Sequence, residues 1–401
     1  MGSLDILAVI RAPLEQYPPS INQVALLSEA GLKVGVVDCH HPDYVPHGFS
    51  RPGTVERFRP CRHTQLHKEK APGLGVRLWR TLAFRWCVSH AIYRREPKVV
   101  IAYDANAMFA VGPLWKRLKR PSLVWHFHDL FLPGRKRMRT LTGRAFEFAC
   151  RHAAAVDLVA FPDRARAEVF AAAAELETRA TVVMNCPRRM VSVPEEHLSA
   201  RLAEHGFAGF STVYFHGWIG PSRCLETVIQ SMCCWPERTV FAMVGPCAET
   251  YRNSLIALAK QVGSEARLLF LGSVPYHEVF HLAAGAAVGC SLVAEQGGAN
   301  WTHSAGAINK RFEYMAVGLP QVASAGRDMK EIIEEPNCGL LVDPKQPAAV
   351  GHAIRSLLEN KLLRKEIGGS GRQAHLERFN YEVQFAPVLE RIVRWCGGRT
   401  A

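Results

Sequence analysis

The chain has 401 residues, of which 48% are hydrophobic and 21% are charged, with a net charge of +13. This composition excludes a disordered chain and provides enough apolar residues for two folded domains. No apolar run reaches the roughly 18 residues of a membrane-spanning helix, and the first residues do not resemble a secretory signal, so we expect a cytoplasmic location.

The positive charge is concentrated in the first half of the chain. Residues 51–150 contain 21 Lys and Arg but only six Asp and Glu, a local net charge of +15. Such a surface attracts nucleic acid, anionic lipid or a phosphorylated acceptor. We expect no nucleic acid, because no recognition motif accompanies the charge. The basic runs at 115–120 and 135–139 instead predict a peripheral location on the inner face of the cell membrane.

The twelve cysteines predict reduced thiols. They contain no C-x-x-C pair, which argues against a disulfide framework and against a structural zinc site. The clusters Cys39-His-His41 and Cys61-Arg-His63 are interpreted as loop residues, and we expect no metal ion.

The first elements of the chain form a predicted βαβ unit. The apolar strand Leu4–Ile10 is followed by a helix that Ser20 and Gln23 open as a capping box, and then by the strand Lys33–Asp38. Residues 45–75 have no hydrophobic period, which predicts a loop. The remaining elements predicted in this half are helices at Val76–Tyr93 and Phe146–Ala155 and strands at Val99–Tyr103, Leu123–His126, Asp157–Phe161 and Thr181–Met184.

A polar connecting segment, 193–209, places a predicted domain boundary between residues 192 and 193. Beyond it, strands and helices alternate, which predicts a second doubly wound α/β domain up to residue 378. A terminal segment, 379–401, contains a last helix, Tyr381–Trp395, that needs a surface to pack on. The six predicted strands of the second domain are Thr212–Phe215, Val240–Val244, Leu268–Leu271, Ala287–Leu292, Gln321–Ala323 and Gly339–Val342.

Two segments that follow predicted strands are typical of an anion site. In Phe215-His-Gly-Trp-Ile-Gly-Pro-Ser-Arg223, a strand ends in a glycine loop and places an arginine at a helix start, where anions bind. Gly245 ends the next strand and allows a ligand to approach the backbone.

The segment around residue 309 is the most specific. Asn309 is expected to cap a helix, and Glu313 lies one turn into it, on the face of Lys310. A carboxylate at this position can accept both hydroxyls of a ribose. The backbone N–H groups of the preceding residues, Gly306, Ala307 and Ile308, can face a diphosphate.

Three motifs resemble the C-terminal domain of GT-B glycosyltransferases of family 4, also described as glycosyl transferases group 1. They are Lys310-Arg-Phe-Glu-Tyr-Met-Ala-Val-Gly-Leu-Pro320, Asn337-Cys-Gly-Leu-Leu-Val-Asp-Pro344 and Phe379-Asn-Tyr-Glu382. The resemblance covers residues 212–382. The first half matches more loosely, through Pro18-Pro-Ser-Ile-Asn22, His126-Phe-His-Asp129 and Asn185-Cys-Pro187.

The resemblance implies an α/β GT-B fold, in which two Rossmann-like domains, 1–192 and 193–378, face each other across a cleft and the terminal helix returns to the first. It implies a retaining, metal-independent enzyme that moves a sugar from a nucleotide-sugar donor to a glycan or lipid-linked acceptor, in polysaccharide or glycoconjugate biosynthesis. Its implied catalytic residues are Arg223, Glu313 and His128. Of the two nearby histidines, His128 is preferred over His126. Its implied donor-binding residues are Gly217, Gly245, Gly306, Ala307, Ile308, Asn309 and Lys310.

Three positions depart from the family pattern. Ala305 replaces a glutamate of many members, Trp218 replaces a common arginine, and Arg11-Ala-Pro-Leu-Glu15 replaces a glycine-rich loop. Two alternatives therefore stay open. One is a catalytically silent scaffold or partner subunit. The other is a sugar-nucleotide epimerase, although no acid and base groups for the two sides of a sugar carbon are apparent.

Overall fold

A computed structural model of the chain describes residues 3–40, 55–62, 73–112, 121–130, 140–174, 180–294 and 299–397. The chain forms two compact units: the first comprises Met1–Asn185 and Gln384–Ala401, and the second comprises Cys186–Val383. The structure thus places the two transitions at 185/186 and 383/384, whereas the sequence placed them at 192/193 and 378/379.

The first unit is built on a parallel sheet of seven strands in the order β3-β2-β1-β4-β5-β6-β7. Every residue of its central strand is buried, as a parallel sheet covered on both faces requires. The strands are β1 (Ile6–Val9), β2 (Val34–His40), β3 (Val55–Arg62), β4 (Val99–Tyr103), β5 (Ser122–His126), β6 (Leu158–Phe161) and β7 (Thr181–Val182). The helices are α1 (Pro18–Glu29), α2 (Leu74–Arg95), α3 (Asp104–Val111), α4 (Leu141–Arg151) and α5 (Arg164–Ala173).

The prediction of a loop over residues 45–75 was wrong for β3, which pairs in parallel with β2. Edge strands tolerate charge and proline, and β3 mixes charged with apolar residues and includes Pro60, so it gives no apolar run to detect. Cys39, interpreted as a loop residue, is buried in β2. The basic runs at 115–120 and 135–139 lie outside the described residues.

The second unit contains a parallel sheet of six strands in the order β10-β9-β8-β11-β12-β13. The strands are β8 (Ser211–His216), β9 (Thr239–Val244), β10 (Leu268–Gly272), β11 (Val288–Ser291), β12 (Gln321–Ser324) and β13 (Gly339–Val342). The helices are α6 (Leu198–Glu204), α7 (Leu225–Ser231), α8 (Glu249–Gln261), α9 (Glu278–Ala284), α10 (Ala299–Thr302), α11 (Asn309–Val317), α12 (Pro347–Glu359) and α13 (Lys361–Glu377). The last helix, α14 (Tyr381–Trp395), belongs to the first unit from Gln384 onward. A π-helical turn covers Lys330–Glu334. All six predicted strands are present, and α6 lies in the segment predicted to be only connecting.

The two sheets confirm the predicted α/β class with two doubly wound parallel sheets. In each, the strand order reverses beside the first strand of the unit, at β1 between β2 and β4 and at β8 between β9 and β11. Ligands of open α/β sheets bind at the carboxyl ends of the strands, next to this reversal. Among the described helices, none has the length and apolar composition needed to cross a membrane.

Candidate functional site

Three adjacent strands of the second unit end in glycines with left-handed or related backbone conformations. The φ angles are 110° at Gly217, 137° at Gly245 and 73° at Gly272. The N–H of Gly217 donates to the Val244 carbonyl at 2.9 Å, and that of Gly245 donates to the Gly272 carbonyl at 2.7 Å. A Cβ on Gly245 would overlap the Gly217 carbonyl oxygen. At Gly245, therefore, the backbone of this edge of the sheet is packed too closely to admit a side chain.

Glu313 lies one turn into α11 and is only 3% exposed. His216, the last residue of β8, donates from Nε2 to Glu313 Oε2 at 2.6 Å, and the Tyr276 hydroxyl donates to Oε1 at 2.7 Å. Burial alone would raise the pKa of Glu313, but the hydrogen bond from His216, followed by that from Tyr276, lowers it overall. Burial lowers the pKa of His216, so its ring is neutral. The result is an ionised carboxylate held in a fixed orientation.

Lys310 lies close to this carboxylate, and Arg223 lies close to Lys310. Lys310 is buried, with Nζ 4.6 Å from the centroid of the Phe215 ring. A Cβ on Gly217 would lie 3.6 Å from the same Nζ. Burial, and then the positive charge of Arg223, lower the pKa of Lys310 well below its ordinary value. Arg223 ends a short 3-10 turn in the loop after β8. Two cations beside bare backbone at a sheet edge can bind an anion such as a diphosphate.

The turn before α11 is held by Arg311, a residue that the sequence interpretation passed over. Arg311 is 2% exposed, and its Nη1 donates to the carbonyls of Ser304 at 2.7 Å and Ala305 at 3.0 Å. The N-cap of α11 is Ile308, without a side-chain hydrogen bond, and Asn309 is the first helical residue, so the predicted capping by Asn309 was wrong. Gly306 and Ala307 lie within the turn, as expected.

The two departures from the family pattern in this unit have different environments. Ala305 is buried, and its backbone carbonyl is bound by Arg311. The Trp218 ring is 39% exposed and lies against Gly220, where a Cβ would overlap it. Trp218 thus presents an aromatic surface in the same loop as Arg223.

In the first unit, His128 lies just beyond β5 in a chain of hydrogen bonds. Its Nδ1 is 3.0 Å from Asp104 Oδ2, and its Nε2 is 2.7 Å from the Ser20 hydroxyl. A carboxylate only accepts, so Nδ1 carries a proton and donates to Asp104. The ring stacks between Tyr17 and Tyr103, at centroid distances of 4.4 and 5.3 Å. Ser20 is fully buried, so this chain orients the histidine rather than activating a serine nucleophile.

Asp104 is the residue that sequence reasoning missed in this unit. It follows β4 with a φ of 60°, a left-handed conformation that turns its carboxylate back to accept the backbone N–H of His128 at 2.8 Å. Burial alone would raise the pKa of Asp104, but the charge and hydrogen bond of His128 lower it overall. An aspartate directly after a buried strand was the available signal.

The two candidate histidines differ in environment. His126 is 1% exposed and lies within hydrogen-bonding distance of Gln23, at 3.2 Å from Nδ1. Burial, and then the nearby His128, lower the pKa of His126 to about 3, so it is a neutral core residue. The predicted capping box of Ser20 and Gln23 was wrong, because α1 already begins at Pro18 and both side chains point to the histidines.

Comparison with known families decides the class of the second unit. Residues 225–374 match the family described as glycosyl transferases group 1. This match covers most of the second unit and includes Lys310, Arg311 and Glu313 of the site. It confirms the resemblance to glycosyl transferases group 1 that was drawn from the sequence motifs. A comparison with curated protein sequences gave no match.

Solved structures extend the similarity of this glycosyltransferase domain to the whole fold. Sucrose-phosphate synthase from Thermosynechococcus elongatus is 16% identical, covering 97% of this chain and 98% of that one, with a TM-score of 0.71. Anabaena HepE in complex with UDP is 18% identical over 98% and 100%, with a TM-score of 0.70. WaaG, a glycosyltransferase involved in lipopolysaccharide biosynthesis, is 14% identical over 96% and 99%, with a TM-score of 0.68. These likenesses show that the chain has the GT-B fold.

Proposed function

We propose that the chain is a retaining glycosyltransferase of family 4 that moves a hexosyl group from a nucleotide-sugar to a glycan or lipid-linked acceptor, in polysaccharide or glycoconjugate biosynthesis. The observation that carries the proposal is the grouping, within a group 1 glycosyltransferase domain, of the cations Lys310 and Arg223 with the buried carboxylate of Glu313. This grouping lies where the strand order reverses, which is the ligand-binding position of such sheets.

The cations are assigned to the donor diphosphate. When the anomeric C–O bond breaks, negative charge develops on the leaving phosphate oxygens, and fixed positive groups stabilise that charge. Arg223 and Lys310 supply these groups, together with the backbone N–H groups of Gly306, Ala307 and Ile308. Burial lowers the pKa of Lys310, and the negative charge of a bound diphosphate raises it again.

The remaining roles concern the nucleoside and the sugar. Glu313 keeps lone pairs on both oxygens beyond the hydrogen bonds from His216 and Tyr276, so it can accept the two ribose hydroxyls. His128 is assigned to the transferred sugar, with Asp104 fixing its tautomer. Retention then follows from a front-face route in which the departing phosphate takes the acceptor proton. The route needs neither a protein nucleophile nor a metal ion, unlike retaining hydrolases with their close pair of carboxylates.

UDP is the first nucleotide to consider, because the structure of HepE was determined in complex with UDP. A second candidate function is a catalytically silent GT-B scaffold. It is favoured by Ala305, which offers no carboxylate, and by Trp218, which offers no cation.

The test is a thermal-shift and calorimetric screen of the full chain against UDP, GDP, ADP and dTDP. A ligand that binds only the native state stabilises it by about 2.7 kcal/mol at 100 times its Kd. We expect one nucleotide to bind the wild type but not Glu313→Ala or Glu313→Gln. The control variant is Glu335→Ala, which changes an exposed glutamate of the same unit and should bind the nucleotide like the wild type. The Gln variant preserves side-chain volume and separates loss of the carboxylate from a packing defect.

Binding is followed by turnover of the matching nucleotide-sugar. Release of nucleotide that depends on an added acceptor supports the transferase. Nucleotide binding without any such release would favour the silent scaffold, and binding of none of the four nucleotides by wild type would overturn the assignment of the donor site.

A further inference from the structure

Helix α2 of the first unit carries apolar side chains on two opposite faces. Phe84, Val88 and Ala91 are buried and pack into the core. A second set of large side chains on the same helix is exposed to solvent. They include Trp79, 67% exposed, Leu82, 63%, Trp86, 69%, and Tyr93, 77%; three residues near the start of the helix are also exposed, Leu74, Val76 and Leu78.

Trp79, Leu82, Trp86 and Tyr93 form one stripe. At 3.6 residues per turn, these four side chains fall within an arc of about 60°, centred roughly 190° from Phe84. Single exposed apolar residues are common on protein surfaces, but an aligned group with two tryptophans marks an interaction surface. We call these four residues the α2 stripe.

Positive charge borders the α2 stripe. The helix contains five arginines and no aspartate or glutamate. By the same helical geometry, Arg85 and Arg94 lie roughly 80–100° to either side of the stripe. Arg85 also stacks on Phe109 of α3, 4.9 Å from the ring centroid, which fixes its position. Aromatic rings between arginines match the interface of an anionic bilayer, where rings enter the headgroup layer and guanidinium groups meet lipid phosphates.

We propose that the α2 stripe docks the protein on an anionic membrane surface. A second copy of this chain fits less well, because a symmetric contact through α2 would place its arginines against those of the partner, and like charges oppose association. The sequence composition agrees, since residues 51–150 carry a net charge of +15. The α2 stripe is the surface that would hold the protein at the membrane, whichever sugar, if any, the chain transfers.

The first experiment is flotation of the full chain with lipid vesicles. Wild type is expected to bind phosphatidylcholine vesicles that contain about one third phosphatidylglycerol, and not vesicles of phosphatidylcholine alone. Trp79→Ala/Trp86→Ala is expected to weaken the partition coefficient roughly tenfold or more. The matched control is Val191→Ala/Leu362→Ala, which removes two equally exposed apolar side chains from the second unit, 83% and 81% exposed, and should bind like wild type.

A second pair of variants tests the charge. Arg85→Glu/Arg94→Glu is expected to weaken binding roughly tenfold or more, and Lys361→Glu/Lys365→Glu, with the same charge change in the second unit, is expected to have a much smaller effect. Circular dichroism and the melting temperature verify that each variant is folded.

Three results would overturn the proposal. The first is no binding of wild type to either kind of vesicle. The second is equal binding by the tryptophan variant and its control. The third is a wild-type dimer, detected by analytical ultracentrifugation, that the tryptophan variant dissociates while vesicle binding is unchanged. That result would make a second copy of the chain the occupant of the α2 stripe.

Discussion

Substitution of Gly245 by alanine tests the close backbone packing at the carboxyl edge of the second sheet. The φ angle of Gly245 is 137°, a conformation that L-residues rarely adopt and that costs about 1–3 kcal/mol. The new Cβ would also lie 2.8 Å from the Gly217 carbonyl carbon and 3.3 Å from its nitrogen, so backbone must move, at a further cost of about 1–3 kcal/mol. We therefore expect Gly245→Ala to lower the free energy of unfolding by about 2–6 kcal/mol.

Gly272→Ala is the matched control, since Gly272 ends the neighbouring strand with a φ of 73° and has no described heavy atom within 4 Å of its Cβ position. It should cost only about 1–2 kcal/mol. Urea denaturation of the full chain, with hydrogen exchange on peptides from β8 and β9, measures the difference. Displacement of Gly217 should also weaken nucleotide binding, because Lys310 lies beside it. Equal losses of stability in the two variants would refute the packing argument.

Three further outcomes are expected. Nucleoside diphosphate affinity should fall as pH rises, by up to about tenfold per pH unit. The pKa of Lys310 is lowered in the free protein and a bound diphosphate raises it, so binding takes up a proton. Calorimetry at several pH values measures this slope. Asp104→Asn should reduce kcat roughly tenfold or more, with a smaller change in KM and an altered pH profile, because an amide no longer fixes the His128 tautomer. Arg311→Met should cost about 3–5 kcal/mol of stability and weaken nucleotide binding, because two buried carbonyls lose their charged donor.

Each of these outcomes has a matched control. Lys310→Met should abolish the pH slope, and a slope that persists in this variant would assign the proton to another group. Asp157→Asn removes a carboxylate that accepts a hydrogen bond from the Leu123 N–H at the opposite end of β5, and it should leave kcat unchanged. Equal kcat values in Asp104→Asn and Asp157→Asn would contradict the role of Asp104. Arg372→Met also removes hydrogen bonds to two carbonyls, but should retain nucleotide binding. Equal nucleotide affinity in the two arginine variants would show that the turn before α11 is not part of the donor site.

The strands of the second sheet could be predicted because parallel strands buried on both faces leave apolar runs in the sequence. Strand β3 could not be predicted, because it is an edge strand of the described sheet and mixes charged with apolar residues. The conformation of Asp104 escaped for another reason: its left-handed backbone is imposed by contacts with residues 24 positions away, and no local pattern encodes it.

The same distinction applies to the candidate site. Arg223 and Glu313 were found because they lie in short motifs with a physical meaning. His216 and Tyr276 were not, since their hydrogen bonds to Glu313 span 97 and 37 residues and exist only after the strands have paired. Arg311 was overlooked although it lies inside the recognised motif, because a charged residue in a helix is ordinarily interpreted as exposed. The roles assigned to these residues stay predictions until nucleotide binding is measured.

The division of the chain has a consequence for the order of folding during synthesis. The first unit needs the last helix: Met184 N–H donates to Gln384 Oε1 at 3.3 Å, and Lys98 Nζ donates to the Cys396 carbonyl at 3.1 Å. Its first 185 residues leave the ribosome early but lack these partners until the last helix has been synthesised. The second unit is one continuous segment and is complete before the last helix emerges. The usual N-terminal-first order of domain folding is therefore expected to be reversed, with the glycosyltransferase domain reaching its native state before the unit that precedes it.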